Sequence, residues 1–349
     1  MEEASRAGYY LAGFLSYEAG YAFEPVLREK DVFDFPLLSF GVYKCSHCRV
    51  VPLPLGPCLP AGREGYRVRA LDGNFNLSRS DYYKDIERIR DHIAAGDVYQ
   101  ITYCVKHKFD YAGSPYQLYS NLFSFQPVPY PAYVECGDLR ILSLSPEMFL
   151  QKSKDKIVVK PMKGTWFRDA SWLNNLLGGW QLHHDAKNRA ENIMIVDLLR
   201  NDLGRICYPG TVKTTGLFEV ARYRTVYQMT STVEGKIRGQ EPLFYDVFRA
   251  LFPSGSVTGA PKIRAMQIIR ELEKEERRIY TGTIGYITPS RDMFFNVPIR
   301  TLLLGKGIGI GAGVGGGEMG VGGGITYYST AEGEYEECLV KARFLQYNN

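Results

Sequence analysis

Residues 189–205 read Arg-Ala-Glu-Asn-Ile-Met-Ile-Val-Asp-Leu-Leu-Arg-Asn-Asp-Leu-Gly-Arg. This stretch predicts a helix from Asp185, its N-cap, to about Asp202. Glu191 stands just before an apolar run that a mostly buried helix would carry. A carboxylate beside such a surface is costly unless it is paired or bound to a cation. Mg²⁺ typically takes one or two protein carboxylates together with substrate oxygens. A magnesium site at Glu191 is therefore one hypothesis, and an ordinary ion pair is the other.

A last helix is predicted from about Glu334 to Gln346. Its charged residues Glu334, Glu337 and Lys341 are three and four positions apart, so they share one face. Two interpretations fit this spacing: a solvated face with an ion pair, or a carboxylate pair that reaches a hard cation. Carboxylates from two helices distant in sequence would suit Mg²⁺.

Lys163 directly follows an apolar strand that includes Ile157, Val158 and Val159. A lysine pushed into an apolar site has a lowered pKa and becomes nucleophilic. A lysine at a strand end can equally extend its ammonium to water along an apolar surface. The pattern alone leaves both interpretations open.

Glycine makes up 36 of the 349 residues, and much of the excess falls in residues 305–324. Residues 254–262 form a Gly-rich turn before a helix that begins at Pro261 and runs to about Glu276, and such turns offer backbone N–H groups to anions. Neither a phosphate-binding GxxxxGK[ST] loop nor a dinucleotide-binding strand–turn–helix context is present. Residues 315–324 are also Gly-rich, and a flexible loop is the alternative there.

The remaining pattern predicts strands and helices in irregular order, which favours an α+β fold. A helix is predicted from an N-cap at Ser80 to Gly96, and residues 56–80 are predicted to be a linker. The predicted strands are at 9–15, 36–43, 98–109, 133–134 and 139–144.

Composition excludes several classes of protein. The net charge of +4 implies no nucleic-acid partner, and no apolar run is long enough to span a membrane. Without a signal peptide at the start, we expect the cytoplasm. Seven scattered cysteines indicate free thiols, and Cys45-Ser46-His47-Cys48 lacks the second pair that a zinc site needs.

Several long motifs together resemble the chorismate-utilising enzymes, over about residues 8–346. The motifs are Pro161–Thr165, Arg189–Arg205, Gly255–Lys262, Ile299-Arg300-Thr301 and Gly322–Glu337. The resemblance implies an α+β fold of two facing β-sheets with helices outside. It also implies an N-terminal β-rich segment with a linker over residues 1–75, shorter than is usual in the family, and a chorismate-binding region over residues 76–349, packed as one unit.

Two positions indicate the branch of the family. Anthranilate synthases carry alanine where this chain has Lys163, and the lysine resembles the aminodeoxychorismate synthases. The family's lysine attacks C2 of chorismate and displaces the C4 hydroxyl, and ammonia then replaces the lysine. Isochorismate and salicylate synthases place a lysine base where this chain has Gln100. Glutamine has no useful proton affinity, which disfavours attack by water.

The resemblance assigns further roles by position. Glu147 matches the general acid, and we expect its pKa to be raised. Mg²⁺ is the implied cofactor, held by Glu191 and Glu337, with Glu334 nearby. A glutamine amidotransferase subunit is the implied source of ammonia, because this chain shows no glutaminase triad. The positions that match substrate-binding groups are Gln100, Gly164, Thr165, Gln228, Thr258, Gly259, Tyr286, Arg300, Gly322, Gly323, Gly324 and Lys341.

The chain departs from the family pattern in three places. Gln228 stands where many members have histidine, so the acid role rests more heavily on Glu147. Asn188 stands where an acidic residue is common, which lowers the negative charge around the expected metal site. Residues 305–317 are longer and richer in glycine than the pattern, and we interpret them as a flexible excursion from it.

Overall fold

The computed structural model describes residues 1–28, 32–44, 66–69, 75–167, 172–223, 226–239, 244–305, 308 and 315–346. Cys45, Cys48 and Cys58 lie outside these residues, as does most of the predicted linker and of the 305–317 segment. The helices are α1 Glu2–Arg6, α2 Ala19–Phe23, α3 Arg79–Ala94, α4 Pro115–Phe125, α5 Trp172–His184, α6 Ala186–Gly204, α7 Phe244–Leu251, α8 Lys262–Leu272 and α9 Ala331–Ala342.

The strands pair antiparallel in two sheets. They are β1 Tyr10–Leu15, β2 Leu38–Tyr43, β3 Tyr66–Arg69, β4 Gln100–Gly113, β5 Tyr130–Cys136, β6 Leu139–Ser145, β7 Met148–Ser153, β8 Lys156–Lys160, β9 Met162–Phe167, β10 Lys213–Arg222, β11 Val226–Lys236, β12 Gly259–Ala260, β13 Thr283–Ile287, β14 Met293–Asn296, β15 Thr301–Gly305 and β16 Gly316–Ile325.

The first sheet has the order β10-β11-β8-β7-β14-β13-β1-β2, with β9 paired to β11. The second has the order β12-β4-β16-β15-β6-β5, with β3 paired to β4. Phe14 and Ile284 of the first sheet share a buried cluster with Ile141 and Leu303 of the second. The two sheets therefore pack against each other, which confirms the expected α+β fold with two sheets.

Helices cover the other sides of the sheets. α3, α4, α8 and α9 pack on the second sheet in one buried cluster, and α6 and α7 pack on the first in another. The Asp185 carboxylate caps α6 by accepting a hydrogen bond of 2.7 Å from the Asn188 N–H. Burial of one apolar face supplies most of a helix's stability in such an arrangement.

Three expectations about element ends need correction. The N-cap of α3 is Ser78 and not Ser80, because the Ser78 hydroxyl accepts from the Asp81 N–H. α8 begins at Lys262, with Pro261 as its N-cap, and ends at Leu272. Part of the predicted linker, Tyr66–Arg69, is strand β3.

The Gly-rich residues 316–325 form a strand, β16, and not a loop. The reason lies in its neighbours. A Cβ at Gly317 would lie 2.2 Å from the Phe109 ring, and one at Gly320 would lie 2.1 Å from the Tyr280 ring. Glycine lets aromatic rings pack directly on the strand backbone, so these residues are selected by packing and not by turn formation.

A buried ion pair joins the N-terminal strands to the second sheet. Arg277 donates two hydrogen bonds to Glu273, and its guanidinium lies 4.3 Å from the Tyr17 ring centroid. It also donates to the carbonyl oxygens of Thr102 and Val257. The N–H groups of Arg277 and Arg278 donate to the two carboxylate oxygens of Glu18. This set is called the Arg277 clamp below.

Candidate active site

Lys163 lies between the two sheets. It projects from β9, and a Cβ at Gly324 on β16 would lie 2.8 Å from its Nζ. Burial lowers the pKa of the Lys163 ammonium, while the nearby carboxylates of Glu191 and Glu147 act in the opposite direction. The amine is thereby more available in its neutral, nucleophilic form than a surface lysine would be.

Glu147 is a buried carboxyl within electrostatic reach of this lysine. It lies between β6 and β7 and is 3% exposed. Burial raises the pKa of Glu147 to about 7, although a hydrogen bond from Ser256 and the charge of Lys163 lower it. A carboxyl with such a pKa still carries its proton at neutral pH in a sizeable fraction of molecules, as a general acid must.

Two buried glutamine amides carry unpaired atoms. Gln100 is fully buried, and a Cβ at Gly324 would lie 2.3 Å from its Nε2. Its Nε2 and Oε1, and the Oε1 of buried Gln228, have no hydrogen-bond partner among the described residues. Buried polar atoms are normally paired. These atoms are therefore suited to hydrogen-bond a polar substrate.

Thr258 and Gly259 border Gln100. A Cβ at Gly259 would lie 2.2 Å from the Gln100 carbonyl oxygen, so the close approach of the two backbones requires glycine. The Thr258 carbonyl accepts from the Thr102 N–H, and the Thr258 hydroxyl donates to the Ser254 carbonyl. The Thr258 hydroxyl is thus engaged within its own turn.

Three carboxylates approach the site from α6 and α9. A Cβ at Gly323 would lie 2.7 Å from Glu334 Oε2 and 3.6 Å from Glu337 Oε1. Burial raises the pKa of Glu191, and the negative charge of Glu337 adds to the rise, which places the two carboxylates within electrostatic reach. Burial likewise raises the pKa of Glu334.

Cations already neutralise part of this charge. The Lys341 Nζ lies 2.6 Å from Glu337 Oε1 and also donates to the Gly322 carbonyl oxygen. Although burial opposes it, the Lys341 ammonium lowers the pKa of Glu337. Lys187 lies 4.0 Å from Glu191. The sequence predicts that Lys341 and Gly322 both bind substrate. In this structure the Lys341 ammonium donates to the Gly322 carbonyl oxygen.

The donor chemistry fits Mg²⁺, which prefers carboxylate oxygen. Among the residues that the structure describes, no three His, Cys, Asp or Glu side chains are grouped so that they could hold a metal ion by themselves. Mg²⁺ usually takes only one or two protein carboxylates and completes its shell with water and substrate oxygens. Two carboxylates, those of Glu191 and Glu337, are as many as Mg²⁺ usually takes from a protein.

The other predicted residues are more scattered. Thr165 is exposed on β9, opposite Gln228 on β11. Gly164 has a φ of 99°, which favours glycine, and it packs against Asn188. Tyr286 is 48% exposed and stacks on Phe294.

Arg300 precedes β15 and lies near Tyr223, since its positive charge acts on the pKa of that phenol, which burial raises. Tyr223 lies in turn within electrostatic reach of Tyr130, whose ring packs on Phe294. The described contacts therefore group Tyr286 and Arg300 with these aromatic residues.

Sequence reasoning missed two serines that contact the predicted carboxylates. The Ser256 hydroxyl donates a hydrogen bond of 2.5 Å to Glu147 Oε1. The Ser329 hydroxyl donates one of 2.6 Å to Glu334 Oε1. Ser256 stands in the Gly-rich turn that the sequence singled out, but a serine in such a turn carries no signal of its own.

Comparison with known proteins places the chain in a family. Residues 64–347 match the family described as chorismate binding enzyme. This chain belongs to that family. The chain is 36% identical to aminodeoxychorismate synthase component 1 of Escherichia coli over 347 residues, which cover 94% of this chain and 74% of that protein. This confirms the resemblance that the motifs indicated.

Other relatives are longer than this chain. It is 36% identical over 271 residues to aminodeoxychorismate synthase component 1 of Bacillus subtilis, covering 77% of this chain but 56% of that protein. The chain thus spans about half the length of several curated relatives that it matches. The crystal structure of anthranilate synthase component I from Streptococcus pneumoniae superposes with a TM-score of 0.80 and 27% identity, covering 97% of this chain and 80% of that one.

None of the described helices is both long enough and apolar enough to cross a membrane.

Proposed function

We propose that this member of the chorismate binding enzyme family makes 4-amino-4-deoxychorismate from chorismate and ammonia. The observation that carries the proposal is Lys163, whose Nζ lies against Gly324 and the Gln100 amide, between the two sheets. A lysine whose pKa is lowered by desolvation suits a nucleophile. Relatives named aminodeoxychorismate synthase component 1 support the same reaction.

The first step is attack on the substrate. The neutral Lys163 amine forms a bond to C2 of chorismate, the ring double bonds shift, and the bond from C4 to its hydroxyl oxygen breaks. Glu147 gives its proton to that oxygen, which leaves as water. The raised pKa of Glu147, a consequence of its burial, allows it to hold this proton near neutral pH.

The second step restores the enzyme. Ammonia forms a bond to C4, the bond between C2 and the lysine nitrogen breaks, and Lys163 leaves as a neutral amine. The proton that the new ammonium group gives up returns to Glu147. Covalent catalysis of this kind replaces one difficult substitution by two easier ones.

Gln100 contributes to the choice of nucleophile. Its buried amide lies beside Lys163, where a basic side chain could activate water. A carboxamide does not take up a proton near neutral pH, so a water molecule at this place gains no base. Ammonia is nucleophilic without one, and the site therefore favours amination over hydration.

Glu191 and Glu337 would hold Mg²⁺, with Glu334 nearby. When bound, the ion would hold and polarise the ring carboxylate of chorismate. Ser329 fixes the orientation of Glu334, while Lys341 keeps Glu337 ionised. These contacts orient Glu334 and keep Glu337 charged at the place where the substrate's own carboxylate would lie.

Ammonia would come from glutamine through a separate glutamine amidotransferase subunit. The word component in the names of the relatives supports a second subunit. The product, 4-amino-4-deoxychorismate, would serve as a precursor of para-aminobenzoate and folate.

Incubation of the protein with chorismate, Mg²⁺ and an ammonium salt tests the proposal, with products identified by mass spectrometry. We expect aminodeoxychorismate from the wild type and its loss in Lys163→Ala. A Lys163→Ala variant that retains full activity would refute the covalent step. Fluorescent anthranilate with release of pyruvate would instead establish the anthranilate synthase reaction, which the S. pneumoniae neighbour favours. Binding of chorismate without turnover would indicate a catalytically silent relative.

A further inference from the structure

Both hydrogen bonds to the Glu147 carboxyl end on the same oxygen. The Ser256 hydroxyl donates to Oε1 at 2.5 Å, and the Met162 N–H donates to Oε1 at 3.4 Å. No described residue donates a hydrogen bond to Oε2. The carboxyl is thus held asymmetrically inside a buried site.

The direction of the contact between the two serines follows from Glu147 Oε1 being the acceptor of the Ser256 proton. A serine hydroxyl has one proton to donate. Ser256 gives its proton to Glu147, so in the contact of 2.9 Å between Ser254 and Ser256 the donor is Ser254. Both serines are 4% exposed. A short chain of hydrogen bonds therefore runs from Ser254 through Ser256 to Oε1.

The turn that carries Ser256 is fixed on three sides. Arg277 donates to the Val257 carbonyl oxygen at 2.8 Å, and the Thr258 hydroxyl donates to the Ser254 carbonyl oxygen at 3.1 Å. A Cβ at Gly255 would lie 2.6 Å from Leu198 on α6, so the turn packs closely on that helix. Ser256 is therefore held on a rigid support, as a group that orients another must be.

We propose that Ser256, supported by Ser254, is a positioning residue that occupies Oε1 of Glu147 and so keeps the acidic proton on Oε2, the oxygen left to face the departing hydroxyl. The role in catalysis rests on the proposed function, whereas the effect on the Glu147 carboxyl does not. An oxygen that accepts two hydrogen bonds acts as the carbonyl oxygen of the neutral acid, which leaves the other oxygen to carry the proton. Among the residues that the structure describes, Lys163, from β9, is the charged side chain that acts on Glu147, and Ser256 and the Met162 N–H, which bond the carboxyl, are neutral.

The test combines a spectroscopic titration with kinetics. Infrared difference spectra between wild type and Glu147→Gln follow the protonated carboxyl of Glu147 as pH changes. Loss of a hydrogen bond that favours the ionised form should move the midpoint upward from about 7 in Ser256→Ala. We also expect kcat to fall about tenfold with little change in KM, since Ser256 touches the acid and not the substrate.

Three further variants complete the test. Ser256→Thr keeps the hydroxyl and should restore both the midpoint and kcat. Ser143→Ala removes a buried hydroxyl that accepts a hydrogen bond from Thr301 and, among the described residues, makes none to the Glu147 carboxyl; it should change neither. Should Ser256→Ala not fold, Ser254→Ala should give a smaller upward shift of the same midpoint.

An unchanged midpoint and kcat in folded Ser256→Ala, or no shift in Ser254→Ala, would overturn the proposal. The titration needs no substrate. If the wild type makes no aminodeoxychorismate and the midpoint still shifts, the proposed function fails while the link between Ser256 and Glu147 stands.

Discussion

Glu18 and Glu147 are both buried carboxyls whose pKa burial raises to about 7, yet their surroundings differ. Glu18 belongs to the Arg277 clamp, where one N–H group bonds each of its oxygens, at 2.7 and 3.0 Å. Glu147 receives both of its hydrogen bonds on Oε1. One carboxyl is fully engaged within the protein, and the other keeps an oxygen for chemistry.

This difference shows that a raised pKa does not by itself identify a catalytic carboxyl. Structural networks shift pKa values as strongly as active sites do. The distinguishing features of Glu147 are its unengaged oxygen and its electrostatic contact with Lys163. Glu18 instead connects the N-terminal strands to the second sheet. The two carboxyls should therefore be separable in activity and in stability.

The largest expected difference is in activity. Glu147→Gln keeps the shape of the side chain but removes the acid, and general acid catalysis typically contributes about 10²–10⁴-fold, so we expect kcat to fall by about that factor. Glu18→Gln should retain most of the activity. Steady-state formation of aminodeoxychorismate measures both. Equal losses in the two variants would remove the distinction between them.

Arg277→Met should produce the largest loss of stability. It leaves Glu273 buried without its partner, and breaking a buried pair in this way costs about 3–5 kcal/mol. Arg200→Met is the matched control on an exposed pair with Asp197, for which about 0–1 kcal/mol is expected. Urea denaturation measures the free energy of unfolding of each variant. A loss in Arg277→Met no larger than that of the control would contradict a supporting role of the clamp.

The features of the fold that could be predicted are those determined by residues close together in the sequence. The α6 cap at Asp185 is a local pattern, and that prediction is confirmed. Interpreting the residues of β16 as a turn or loop was wrong. Their glycines allow the rings of Phe109 and Tyr280, which are distant in the sequence, to pack on the strand backbone. α4, α5 and α7 were missed altogether.

The candidate site divides in the same way. Lys163, Glu147 and the three other carboxylates were named from motifs, and the structure brings these residues within electrostatic reach of one another. Their roles stay predictions. Ser256 was not named, because a hydrogen bond to Glu147, 109 positions away, exists only after folding. Packing partners and hydrogen-bond partners are the part of a site that sequence patterns do not carry.

Stability should depend on pH in the same way at both carboxyls. Each folded pKa, about 7, lies above the ordinary value of 4.5, so the folded state binds more protons between these limits. Each carboxyl therefore makes its whole contribution to the free energy of unfolding below about pH 4.5. This contribution, roughly 3 kcal/mol at most, is lost as the pH rises through 7. Urea denaturation from pH 5 to 8 should show a shallower decline in Glu18→Gln and in Glu147→Gln than in the wild type. Parallel curves for the wild type and both variants would contradict the raised values.

The smallest effect separates the two carboxyls by stability alone, at a pH above 7 where both are ionised. Glu18→Gln replaces one accepting oxygen by an NH₂ group that faces the N–H of Arg277 or Arg278, so one buried hydrogen bond is lost, at a cost of about 1–3 kcal/mol. Glu147→Gln can turn its carbonyl oxygen toward Ser256 and Met162 and place its NH₂ group at the unengaged position, so it loses no bond. It should match or exceed the wild type in urea denaturation at pH 8. A larger loss in Glu147→Gln than in Glu18→Gln would show that Oε2 of Glu147 is engaged after all, and the asymmetry on which its role as acid rests would be gone.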